Sequence, residues 1–161
     1  MSRIKNCIVA VCLWLSVGAA GAAEMAFIKT PYPGSQVFKQ SNKAYVNDFY
    51  LLLSKPVAKD GEAIVEKTQK LEGALQQLVY EHRKEDSEVQ IFESYKQALQ
   101  KEGYSLEFVC PTGCTGELSW FELIKKYQGG ETTILPIRNY GYLAARKGNV
   151  SVAVLTGAGA V

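Results

Sequence analysis

The stretch SEVQIFESYKQALQKEGYSLEFVCPTGC, residues 87–114, decides the fold. Ser87 and Gln90 stand at capping-box spacing, so that hydroxyl and amide can each satisfy a backbone N–H at the start of a helix. Val89, Phe92, Tyr95, Ala98 and Leu99 recur at three- and four-residue spacings and form one apolar face, while Glu88, Lys96, Gln97 and Lys101 lie off it. Gly103 ends this helix, predicted over 87–102. The strand predicted over 104–110 alternates Tyr104, Leu106, Phe108 and Cys110 on one side with Ser105, Glu107 and Val109 on the other. Helix and strand joined at one glycine pack face to face, which sets the helix stripe on the Leu106/Phe108 side of a sheet.

Upstream, KAYVNDFYLLLS (43–54) is rich in strand-forming residues and is stopped by Pro56. Asp60-Gly61 is a turn pair. The run 64–83 is ambiguous: its Glu, Gln, Lys, Leu and Ala suit a helix, which composition alone favours, whereas Gly73, Thr68, Val79 and Tyr80 suit a strand. Residues 24–42 carry Pro31, Pro33 and Gly34 and read as an irregular lead-in. Downstream, 118–127 reads as a short helix with Leu118, Phe121 and Ile124 in line, ended by Gly129-Gly130. ILPIRNYGYLAAR and VSVAVL read as strands around a turn at Lys147-Gly148-Asn149. The expected fold class is α+β: a mainly antiparallel sheet with one principal amphipathic helix and one short helix packed on it, in a single domain over 43–161.

The first 23 residues read differently. Arg3 and Lys5 precede an apolar run from Ile8 to Val17, and small residues follow from Gly18 to Ala23. This is the pattern of a secretory signal peptide, with an A-x-A cleavage site at Ala20-Gly21-Ala22 or one residue later. The run is shorter than the roughly 20 residues of a spanning helix, so no transmembrane helix is expected in the mature chain. Cys12 lies inside the apolar run behind Val11, which argues against a lipoprotein signal. Of the 18 basic residues Arg3 and Lys5 belong to this leader, so the mature chain carries 16 basic and 16 acidic residues. Such a balance offers no attraction for nucleic acid.

Cys7 and Cys12 leave with the leader, and the pair Cys110-Pro-Thr-Gly-Cys114 remains. In an exported chain it is most simply a disulfide, a staple on the end of a strand worth roughly 2 kcal/mol in so small a ring. The alternative is a thiol–disulfide redox site, although redox pairs are usually spaced C-x-x-C. A zinc site needs more ligands than one pair and one histidine supply. His82, the only histidine, sits beside Arg83, Lys84, Glu85 and Asp86 and reads as part of a solvated turn. Gly157-Ala-Gly159 after an apolar strand is reminiscent of a nucleotide loop, but no helix follows to receive phosphates. The aromatics Tyr32, Tyr45, Phe49, Tyr50, Trp120, Tyr127, Tyr140 and Tyr142 fall mostly in strand or helix patterns and are expected in the core; on the surface they would suit a glycan or peptide.

The spaced set Leu71-Glu72-Gly73, Tyr80, Phe92, Tyr95, Leu99, Gly103, Phe108, Cys110, Cys114, Trp120 and Tyr142-Leu143-Ala144-Ala145 resembles a family of exported proteins of Gram-negative bacteria to which no activity is assigned. In many members this domain precedes an OmpA-like peptidoglycan-binding domain. The likeness covers roughly Leu71 to Arg146. It implies a strand around Gln69–His82 and a periplasmic or outer-membrane-associated module, with no catalytic residues to carry over. The cysteines here stand close together and no OmpA-like domain follows, so peptidoglycan binding is not carried over. The expectation is a non-enzymatic binding or structural module of the cell envelope, without cofactor or metal, whose partner is an envelope protein or glycan.

Overall fold

The computed structural model describes residues 7–15, 32–114, 120–128 and 137–159. Eight strands and two helices follow in the order β1 (Cys7–Leu15), β2 (Gln36–Leu52), β3 (Pro56–Lys59), β4 (Glu62–Val65), β5 (Thr68–His82), α1 (Glu88–Lys101), β6 (Ser105–Cys110), α2 (Trp120–Gln128), β7 (Ile137–Lys147) and β8 (Val150–Gly159). Six strands form one sheet in the order β2-β5-β1-β8-β7-β6, every neighbouring pair antiparallel; β3 and β4 form a separate hairpin. The fold is α+β and dominated by sheet. Among these residues no helix is long and apolar enough to cross a membrane.

The two faces of the sheet are sorted by strand alternation. In β7, Leu143 and Ala145 join Val152 and Val154 of β8 beneath Ile91, Phe92, Tyr95 and Leu99 of α1. Tyr142 and Ala144 point the other way and join Ala153, Leu155, Phe49, Leu51, Leu52 and the α2 residues Leu123 and Ile124. The helices therefore cover opposite faces. Each large apolar side chain sealed between them contributes roughly 1.5–3 kcal/mol.

α1 ends in a Schellman motif: Tyr104 N–H donates to Leu99 C=O and Gly103 N–H to Gln100 C=O, at 2.9 and 3.0 Å. Gly103 holds φ at +86°, and Tyr104 and Leu99 lie in the same apolar cluster. At the other end Ser87 is the N-cap with an extended backbone, but its hydroxyl makes no capping bond, so the expected box with Gln90 does not form. The entry is fixed instead by Asp86, whose carboxylate accepts from the Arg83 backbone N–H at 3.1 Å and from the Arg83 guanidinium at 3.0 Å.

Three further expectations change. Val89 is 54 % exposed, and Ile91 takes the buried place on α1. The strand over 104–110 does not keep strict alternation: a bulge between Leu106 and Phe108 turns Phe108 to the α2 face and leaves Leu106 and Val109 under α1. The lead-in over 24–42 is not irregular to its end, because β2 begins at Gln36, opposite Glu81 of β5. That pairing is non-local and the segment's mixed polar composition hides it. Val37, Phe38 and Tyr45 of this strand stay exposed, so Tyr45 is an exception to the expectation of core aromatics. The ambiguous run 64–83 does contain a strand, Thr68–His82. Asp60-Gly61 and Gly148 turn through positive φ in the expected hairpins. Ala20–Ala23, Leu118 and Gly129-Gly130 lie outside the described residues.

The apolar run that the sequence pattern assigns to a leader supplies β1, which lies between β5 and β8 and pairs with both along its whole length. A signal peptide and a central strand ask for the same thing, an uncharged apolar run. β8 shows why the position suits one: Ser151 through Gly157 are all buried, so the sheet is covered on both faces there.

Tyr142 ties the two ends of the fold. It is fully buried, and its hydroxyl accepts from the Leu52 backbone N–H at 3.1 Å. Tyr142→Phe keeps the ring and orphans that N–H, so denaturant unfolding is expected to show a loss of about 1–2 kcal/mol.

Candidate functional site

Cys110 and Cys114 are paired, with Cα atoms 5.6 Å apart. β6 delivers Cys110 into the cluster with Phe108 and Tyr142, where its exposure is 0 %. Pro111 and Gly113 then reverse the chain, with Cys114 N–H donating to Pro111 C=O at 2.9 Å. Gly113 N–H donates to Tyr140 C=O of β7 at 3.0 Å, which pins the ring to the neighbouring strand. Cys114 is half-buried at the edge of the same cluster. Thiol–disulfide exchange needs an in-line approach to one sulfur and a stabilised thiolate on the other. Only Cys114 is open to approach, and the Cys110 thiolate would be released into apolar surroundings. The arrangement ties strands together better than it exchanges electrons.

His82 is not in a solvated turn. It is the last residue of β5 and only 4 % exposed. Its ring stands edge-on to Tyr32 and to Tyr95, at centroid distances of 5.6 and 6.3 Å. Neither Nδ1 nor Nε2 has a hydrogen-bond partner. Burial lowers its pKa to about 4, only partly offset by the nearby Asp86 carboxylate, so the ring is neutral at pH 7. The local sequence misled because the charged run begins one residue later, at Arg83. The sole hint was its even spacing from Tyr80, which shares the α1 side.

A groove of about 330 Å³ runs beside this aromatic corner, lined by Tyr32, Pro33, Ser94, Tyr95, Gln97 and Lys101 among others. A second, of about 530 Å³, lies where α2 meets the β3–β4 hairpin and carries both signs of charge: Glu62 and Glu122 against Lys125 and Lys126. α2 is held there by its last turn. Gln128 Nε2 donates to Tyr50 C=O at 3.3 Å, and the Tyr127 hydroxyl accepts from Val65 N–H at 3.5 Å. The structure does not bring His82 and the cysteines together: His82 faces the α1 cluster and Cys110 the α2 cluster. Gly157 and Gly159 are strand residues of β8, not a loop. Among the described residues no group of three or more His, Cys, Asp and Glu could hold a metal ion.

Comparison of the chain with protein-family models, with curated proteins and with solved structures finds no match.

Proposed function

We propose that this chain is a non-enzymatic binding or structural module of the Gram-negative cell envelope, exported by its N-terminal leader and stapled by Cys110–Cys114. The observation that carries this is the setting of the one sharp chemical pair. Cys110 is closed off in the apolar cluster at the end of β6, where a disulfide fixes the β6–β7 corner and has little access to a redox partner. The leader pattern of Arg3, Lys5, the apolar run and the small residues supports export, and an oxidising compartment suits the pair. The resemblance to the exported family points to the same compartment. The partner fitting such a module is an envelope protein or glycan.

Expression of the full chain in a Gram-negative host, followed by fractionation and intact mass, tests this. The expected species sits in the periplasmic or outer-membrane fraction, begins after Ala22 or Ala23, and lacks the pair of hydrogen atoms lost on disulfide formation. A reduced, uncleaved chain in the cytosol would contradict it.

A further inference from the structure

We infer that the gap between β5 and β8 is a strand-acceptor site: in the exported protein, whose leader has been removed, it takes an apolar strand of about nine residues from another envelope polypeptide, running in the direction of β1. This rests on leader removal as proposed above. β1 occupies the gap in the uncleaved chain, with Cys7 through Leu15 opposite His82 through Ala74 on one side and Ala158 through Val150 on the other. Taking it away leaves two facing strand edges in the middle of the sheet.

The gap does not close by simple collapse. β5 and β8 are both antiparallel to β1 and hence parallel to each other, with two strand spacings, roughly 9.5 Å, between them. The β2–β5 ribbon is meanwhile tethered to the other half of the fold. Tyr142 holds Leu52 N–H, Gln128 holds Tyr50 C=O, and the Arg146 guanidinium donates to Gln69 Oε1. These contacts fix the ribbon where it stands while the Ala74–His82 edge lies open.

The walls define the guest. Val152 and Val154 of β8 face the α1 cluster and Ala153 and Leu155 the other, all buried, so a guest strand is covered on both faces and is predominantly apolar. Two buried polar atoms in the walls, Gln77 Nε2 and Thr156 Oγ1, have no hydrogen-bond partner. They lie opposite positions 12 and 9 of β1, on opposite faces, so a guest with a hydroxyl or amide at those two places satisfies both. A second copy of the chain is a poor donor. Outside its own strands, residues 24–161 hold no nine-residue uncharged apolar run; Met25–Ile28 is the best, at four.

The test uses the processed protein purified from the envelope, its N-terminus fixed by mass, and amide exchange read residue by residue. The probe is a peptide of residues 7–15 carrying C7S and C12S with lysines added at both ends. Alone, the slot-facing amides of β5 and β8 are expected to exchange at least about 100-fold faster than Leu143 and Ala145 of β7. The peptide is expected to slow them at least about tenfold without changing β7, and the same peptide with V11P, which lacks the central donor, to have no effect. A processed chain that refolds only in the presence of the peptide supports the site equally. Slot amides as protected as Leu143 without peptide, or a homodimer that loses this protection on dilution, would overturn it. A mass beginning at Met1 would instead overturn leader removal. The precursor with V11P, which expels β1, then carries the same peptide measurement and decides the acceptor site separately.

Discussion

Gly141→Ala is expected to destabilise the domain by about 3 kcal/mol, at the upper end of ordinary overpacking. Gly141 lies in β7 beneath Phe92 of α1, and a Cβ there would stand 2.7 Å from Phe92 Cδ2 and 2.9 Å from Thr156 Oγ1. Neither neighbour can yield. Phe92 is 1 % exposed and packed among Ile91, Tyr95 and Leu143, while Thr156 is fully buried in the adjoining strand. The cost is therefore steric and local: α1 must lift or Phe92 must leave its rotamer. For a domain of this size the loss corresponds to a fall in melting temperature of roughly 10 °C. Because the closest of the two clashes is with the Phe92 ring and the other, with Thr156, remains, F92L in the G141A background should return about half of the loss, although F92L alone is destabilising. Simple addition of the two penalties would contradict the close-packing account.

Acid should weaken the fold through His82. In the unfolded chain the imidazole takes up a proton near its ordinary value of 6.5, whereas burial holds the folded pKa at about 4. Between those values the unfolded state binds more protons, so stability is complete above pH 6.5 and is lost as the pH falls toward 4. The shift corresponds to about 3 kcal/mol in all, of which roughly 2.5 kcal/mol is gone by pH 4.5. Carboxylates titrate over part of the same range, and the comparison that isolates the histidine is H82L. That variant exchanges two unpartnered nitrogens for apolar surface beside Tyr32 and Tyr95. It should match or exceed the wild type at pH 7.5 and retain about 2 kcal/mol more of its stability at pH 4.5, read from urea midpoints at the two pH values. Parallel losses in both proteins would mean that His82 is already solvated.

What was legible in the sequence was local. The helix over 87–102 announces itself by the spacing of Phe92, Tyr95 and Leu99 and by Gly103, and the structure realises these as buried stripe and Schellman turn. Asp60-Gly61 and Lys147-Gly148-Asn149 likewise carry their turn chemistry in a few adjacent residues. Apart from the Ser87 box and Val89, which failed within the helix itself, what failed depended on partners distant in the chain. Gln36–Asn42 are strand only because β5 pairs with them, and His82 is buried only because Tyr32, fifty residues earlier, and Tyr95 close over it. Phe108 changes sides because of a bulge against β7 that strict alternation cannot foresee. The cysteine pair was legible as a pair at once. Its setting, with Cys110 sealed beside Tyr142 and Cys114 at the rim, needed the packed sheet.

That setting is what the proposed function turns on, and the reduction potential of Cys110–Cys114 in the processed protein, by thiol labelling across a glutathione series, tests it most directly. A binding or structural module stapled by a sealed disulfide predicts a potential below about −300 mV, beyond reduction by the glutathione pool. A potential of about −120 to −200 mV, together with one thiol of depressed pKa, would contradict that account and mark a thiol–disulfide redox protein.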